Sequence, residues 1–194
     1  MARQRDVGSR IVPRLVLVGG APASGKTTLA EQLAEELSLP LVTKDLLKEA
    51  LFDSLGVPAD RERSAELSRA AYTVLYRIAS RLVRSGTSLI LEANFHRGRS
   101  EVELLPLVQR SSAVMLLCET SLEELRRRYQ ARIRGAANRH PGHLDDTYQD
   151  ALAEQLRDGL YEPLDLPIPT LRIDTTNGYQ PEFDAIVRWI GERG

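Results

Sequence analysis

Gly20, Ala21, Pro22, Ala23, Ser24, Gly25, Lys26 and Thr27 spell Gly-x-x-x-x-Gly-Lys-Thr, and Thr28 follows. Glycines at such spacing let successive amide N–H groups point inward at one anion, and the positive end of a following helix faces the same point. A polyphosphate is the natural guest. Lys26 is the residue to reach its β and γ phosphates, and the Thr27 hydroxyl is the ligand for the magnesium ion that travels with them. The surroundings agree: Leu15, Val16, Leu17 and Val18 form a strand-like apolar run before the octapeptide, while Leu29, Leu33 and Leu37 recur at helical spacing after it.

Phosphate binding does not by itself separate a kinase from a hydrolase or a motor, and other positions carry that distinction. Asp45 directly follows a second strand-like run, at the end of a parallel strand where ligands of such sheets bind. A carboxylate there is placed to take the proton of an attacking hydroxyl, and equally to cap the helix beginning at Leu46. Lys44 and Lys48 flank it as candidates to hold a substrate phosphate or carboxylate. Glu92 and Asn94 emerge from a third apolar run: Glu92 suits orientation of magnesium through its water shell, and Asn94 suits a substrate or phosphate contact.

Downstream, Arg128 and Arg132 stand four apart on a helix opened by Ser121, so both guanidinium groups leave one face while Leu122, Leu125 and Tyr129 pack inward. Aimed at a transferring phosphoryl group, they would neutralise charge on its equatorial oxygens. Eight basic residues fall within 126–143, with Gly135, Pro141 and Gly142 as helix breakers, which is the position and composition of a closing lid. His140 and His143 lie in the turn at its tip. A zinc site there has too few evident partners, so the turn is read as folding over donor or acceptor, and flexible without them.

The elements that must position these residues are legible as strands at 14–18, 40–43, 88–92, 113–119 and 170–173, alternating with helices, which predicts a parallel sheet covered on both faces. A helix at 46–55 ends at Gly56 and Pro58. A longer one carries Leu67, Ala71, Val74, Leu75, Ile78 and Leu82 on one face and stops at Gly86. Ser100 with Glu103, and Ser121 with Glu124, have capping-box spacing. Phe183, Ile186, Val187 and Ile190 form a final amphipathic helix after Pro181.

Length and charge set limits on this picture. With 194 residues the chain suits one core, so 1–194 is read as one domain with a lid at about 126–143. A formal net charge of −1 gives no global footprint for a long nucleic acid or an anionic membrane. The apolar runs are strand length and 1–10 is charged, so neither a signal peptide nor a membrane span is expected, and the protein is read as cytoplasmic. The single cysteine, Cys118, lies in an apolar run and is read as a buried small hydrophobe.

Taken together, the phosphate loop, the Thr43, Lys44, Asp45 turn with Lys48, the strand end at Glu92 and Asn94, and the arginine pair resemble the small P-loop kinases. Within these the chain is similar to the AAA_33 family, which includes the kinase domain of phage-type polynucleotide kinase and relatives among zeta toxins and chloramphenicol phosphotransferase. The resemblance spans roughly residues 15–173. It implies the strand order 2-3-1-4-5 within a P-loop NTPase fold, ATP (or GTP) with Mg2+ as cofactors, Asp45 as general base, and Arg128 and Arg132 as lid arginines. Glu92 stands where the family usually carries aspartate. Lys48 stands where the polynucleotide kinases carry a substrate-orienting arginine, and lysine lacks the bidentate fork of arginine. The expected function is therefore transfer of the γ phosphate of ATP to a hydroxyl of a small molecule such as a nucleoside, a sugar or an antibiotic. A 5′-hydroxyl polynucleotide kinase is the second choice, and a nucleotide-dependent switch acting on a protein partner is the reading of a different class.

Overall fold

Strand β1 (Arg14–Gly20) is the middle of the molecule because its side chains are apolar on both faces, as a parallel strand covered by helices requires. Leu15 and Leu17 enter one core and Val16 and Val18 the other. The computed structural model describes residues 12–134, 140, 142–143 and 149–193, without the side chains of 132–134 and 149–150. Around β1 are set β2 (Leu41–Thr43), β3 (Leu89–Glu92), β4 (Ser112–Glu119) and β5 (Thr170–Asp174). All pair in parallel, in the order β2-β3-β1-β4-β5 that the family resemblance implied.

The first core face receives α3 (Arg61–Arg84) and α4 (Glu101–Val108), through Leu75, Ala79, Val83, Leu104 and Leu107. The second receives α1 (Lys26–Leu37) and the C-terminal α7 (Phe183–Gly191), through Leu29, Leu33, Ile186 and Ile190. Truncating any of these fully buried leucines or isoleucines to alanine removes about 2–5 kcal/mol. A third, smaller cluster joins the phosphate loop to α5 (Leu122–Arg134) and α6 (Gln149–Arg157): Ala21 and Ala23 pack with Leu125, Tyr129, Leu152 and Tyr161. Helix α6 carries no signal that the sequence reading used.

Several local expectations are corrected. Helix α2 (Lys44–Leu55) starts two residues before the expected Leu46, because Thr43 is its cap and accepts a hydrogen bond from the Leu46 amide at 3.1 Å. Asp45 is therefore inside the first turn and is not the cap. On α3 the buried stripe runs Ser64, Leu67, Ala71, Leu75, Ala79, Val83, whereas Val74 is exposed. A hydrophobic residue one position off a stripe is easily read into it. Ser100 holds the cap position of α4 but its side chain makes no capping bond: the hydroxyl accepts from the His96 amide, and Glu101 rather than Glu103 reaches back, to the Gly98 amide. At Ser121 half the capping box forms, its hydroxyl accepting from the Glu124 amide, while the Glu124 carboxylate turns to Arg127 and Arg128.

No helix among the described residues is long and apolar enough to cross a membrane. Cys118 is buried in the second core, and burial pushes its thiol up to about 12.

Candidate active site

The strand order decides what meets at the C-terminal edge of the sheet. Thr43 at the end of β2 is level with Glu92 at the end of β3, and Val18 of β1 is level with Glu92 from the other side. The loop after β1 then returns as α1, bringing Lys26 and Thr27 back over that edge.

The loop holds the shape its glycines were expected to give. Gly20 has φ +140°, and a Cβ there would lie 2.3 Å from the Cys118 carbonyl oxygen, so only glycine fits. Gly25, at φ +85°, caps α1. The Ser24 hydroxyl is buried with no hydrogen-bond partner among the described residues, an orphan polar atom inside the cradle. Lys26 curls back, donating to the Ala21 carbonyl at 3.3 Å and standing 3.8 Å from the Glu92 carboxylate. Thr27 Oγ1 is 3.5 Å from the same Glu92 oxygen. Glu92 is buried; burial pushes its pKa up and Lys26 partly opposes this. A hydroxyl and a carboxylate converging beside a buried ammonium, over a cradle that excludes side chains, fit a magnesium-bound polyphosphate.

Asp45 faces the same space. Burial would raise its pKa, but the Lys44 ammonium in contact with it, then Lys26 and His143, hold it well below the usual carboxylate range. Lys44 also lies 5.9 Å from the centre of the Tyr72 ring. Lys48 donates to the Ser64 hydroxyl at 2.9 Å and lies 5.3 Å from the centre of the Phe52 ring. Tyr72 donates to the Asn94 carbonyl, and the Asn94 side-chain oxygen is buried with no hydrogen-bond partner among the described residues.

These residues line a cleft of about 940 Å3 that runs from Lys26 and Thr27 past Asp45 to a second wall the sequence reading missed. That wall is the flank of α3 beside its buried stripe, with Ser64 at the border of the two and then Ser68, Arg69, Tyr72 and Tyr76, together with His96, Arg99 and Ser100 before α4, and Tyr161. The spacing 64, 68, 72, 76 is helical and polar, a signal that was available but outshone by the apolar stripe.

His140 and His143 line the cleft as well, docked on α2. Gly142 donates to His140 Nδ1 at 3.0 Å, so the proton is on Nε2, 3.0 Å from Asp53. His143 Nε2 is 2.7 Å from Glu49, and both rings pack on Phe52 at centroid distances of 5.1 and 5.5 Å. His140, Gly142 and His143 of the turn expected at the lid tip thus have Phe52 and two carboxylates of α2 as their neighbours.

Arg128 is not among the residues lining the cleft. It donates to Glu124 at 2.7 Å, to the Ala23 carbonyl at 3.4 Å and to Thr175 Oγ1 at 3.2 Å, with a further bond to the Thr175 carbonyl. Thr175 in turn donates to the Ser24 carbonyl at 2.7 Å. Arg128 therefore clasps the outer side of the phosphate loop to the end of β5. The backbone of Arg132 lies in α5, but its side chain, with Gly135, Arg139 and Pro141 of the expected lid, is outside the described residues.

Residues 15–161 match the AAA_33 family, an AAA domain. The chain belongs to it. A protein of Chloroflexus aurantiacus J-10-fl assigned provisionally as a kinase is 38% identical, with 94% of this chain and 99% of that one aligned and a TM-score of 0.83. Shikimate kinase of Bacteroides thetaiotaomicron (18% identity, 93% and 97% covered, TM-score 0.52) and a chain of the Pnkp1/Rnl/Hen1 RNA repair complex (18%, 81% and 49%, 0.54) share the fold. Comparison with the curated proteins gives no match. This AAA_33 chain accordingly has the P-loop fold that kinases of that group use, with Lys26, Asp45 and Glu92 gathered at one edge of the sheet.

Proposed function

We propose that this protein is an ATP- and magnesium-dependent phosphotransferase that moves the γ phosphate to a hydroxyl of a small molecule. The observation that carries the reading is that the phosphate loop and the ionised Asp45 carboxylate open into one cleft. A switch ATPase has no use for a polar acceptor wall beyond its phosphate site. Lys26 draws charge from the phosphate being transferred, and Asp45 orients the acceptor hydroxyl and receives its proton. Magnesium, when bound, neutralises the phosphate oxygens, with Thr27 and Glu92 as the residues to hold it or its waters. Asn94, Lys44 and Lys48, with the His140 and His143 turn, border the acceptor. Arg128 and Arg132 bring positive charge from α5 when the lid closes, Arg128 exchanging its contacts with the loop for contacts with the nucleotide. The cytoplasm is the setting in which ATP is available to it.

The test is a screen of hydroxyl compounds with γ-labelled ATP, including nucleosides, sugars, aminoglycosides and a 5′-hydroxyl oligonucleotide. A labelled small-molecule product supports the proposal. Label on the oligonucleotide alone would make it a polynucleotide kinase, and rapid phosphate release without any acceptor would make it a nucleotide-dependent switch.

A further inference from the structure

The acceptor wall has a charge that phosphoryl transfer itself does not explain. Both carboxylates that line the cleft already have a basic neighbour, Asp45 by Lys44 and Glu49 by His143, and Glu92 beside it stands by Lys26. Two arginines come in addition. Arg69 projects from the polar flank of α3, between Ser68 and Tyr72, and Arg99 arrives from the turn before α4, where Gly98 at φ +78° swings the chain around. Neither guanidinium has a hydrogen bond or a salt bridge among the described residues, although both border the cleft.

The same cleft is lined by polar rings. Tyr72 and Tyr76 stack at 6.0 Å, His96 lies 6.3 Å from Tyr72, and Tyr161 lies 5.5 Å from His96. Burial, then the nearby Arg99 and Lys44, push the His96 pKa down to about 4, so the ring is neutral and offers one donor and one acceptor. Among the described residues no phenylalanine or tryptophan lines the cleft, while four of the six tyrosines and all three histidines do. Such a wall suits a hydroxylated ligand better than an apolar ring.

We propose that Arg69 and Arg99 form an anion subsite in the acceptor cleft, so that the alcohol phosphorylated here carries a carboxylate or a phosphate of its own. The proposal rests on the kinase reading for the word acceptor, and on the two arginines for the anion. Planar guanidinium groups from two separate elements match the paired oxygens of either group.

The experiment separates binding from turnover. Wild-type protein and Arg69→Gln, Arg99→Gln and the double variant are titrated calorimetrically, with Mg·ADP present, against matched probes: D-glycerate and glycerol, D-gluconate and D-glucose, glucose 6-phosphate and D-glucose, uridine 5′-monophosphate and uridine. The thermal shift given by Mg·ADP controls for folding, and the single variants stand in if the double variant fails it. At least one anionic probe should bind wild type about tenfold or more tightly than its uncharged parent, with about a tenfold loss per arginine removed. The carboxylate and phosphate arms tell which anion is preferred. Equal binding of every charged and uncharged pair, or an advantage that survives in the double variant, overturns the subsite. The same probes are then offered γ-labelled ATP: arginine-dependent binding without any labelled product keeps the subsite and sinks the kinase reading, while label on uncharged compounds alone does the reverse.

Discussion

Lys44 and Asp45, adjacent in the chain, form an ion pair at the floor of the cleft, the lysine 9% and the aspartate 37% exposed. The pair holds the Asp45 pKa well below the usual carboxylate range, which keeps it ionised near neutral pH and weakly basic. That suits phosphoryl transfer through a loose transition state, in which positioning of the hydroxyl counts for more than early removal of its proton.

Removing Lys44 should therefore appear in the pH profile. Burial raises the Asp45 pKa, and Lys44 leads the groups that lower it. In wild type the acid limb of kcat/KM belongs to other groups; in Lys44→Met it should move up toward neutral pH as Asp45 begins to titrate. The sign for stability follows from the depressed pKa. The pair contributes above the unfolded value of about 4 and the contribution is lost as pH falls from there through the folded value. An unchanged acid limb in Lys44→Met, measured by initial rates from pH 4.5 to 8, would show that Lys44 does not govern Asp45.

Asp45→Asn and Thr43→Val should part catalysis from capping. Thr43 holds the first turn of α2, so its loss should cost about 1 kcal/mol of stability at any pH, while Asp45→Asn should lose only what the ion pair with Lys44 contributes, a loss that shrinks as the pH falls below about 4. Turnover should fall about 10²- to 10⁴-fold in Asp45→Asn with a smaller change in ATP binding. Retained turnover with a lost melting temperature would return Asp45 to a structural role.

Lys26→Ala and Gly20→Ala should fail for different reasons. Lys26→Ala should fold and lose most transfer activity together with part of its nucleotide affinity, since its ammonium meets developing charge. Gly20→Ala drives a methyl group into the Cys118 carbonyl at a left-handed φ, so the loop itself must shift. Nucleotide titration and circular dichroism of the two variants distinguish the cases, and normal ATP turnover in Lys26→Ala would end the phosphate-loop assignment.

Phe52→Ala should release the histidine turn from α2. The ring seats His140 and His143, and a Cβ at Gly142 would come within 2.4 Å of it, so the fit is close. Hydrogen exchange at the Gly142 amide, bonded to His140 Nδ1, should accelerate while exchange in β1 stays slow. Equal protection of Gly142 in both proteins would show that the turn is held by other contacts.

The donor half of the site was readable because one contiguous octapeptide carries it, and its context of strand and helix is local. Asp45 and Glu92 were readable for a related reason: each closes an apolar run, and the end of a parallel strand is a place with known consequences. Arg69, Tyr72, His96 and Arg99 were missed because they belong to two elements whose other faces hold stronger signals, the apolar stripe of α3 and the strand end of β3. Only the packing of α3 beside β3 makes them neighbours. Arg128 was recognised as a special residue, but a sequence could not show that Thr175, 47 positions later, would be its partner.

The order β2-β3-β1 gives the chemistry a ruler. Asp45, Glu92 and the phosphate loop leave three consecutive strands, with Thr43 at the end of β2 level with Glu92 at the end of β3 and with Val18, two residues before the end of β1. Neighbouring strands lie about 4.8 Å apart, so two ladder steps, about 10 Å, separate the strand ends that carry the acceptor base and the phosphate loop. That interval is metered by backbone hydrogen bonds, which no side-chain replacement on the acceptor wall can stretch. Under the proposed function, the pocket is thereby left at liberty to change its clientele while the stride of the transferred phosphate stays the same.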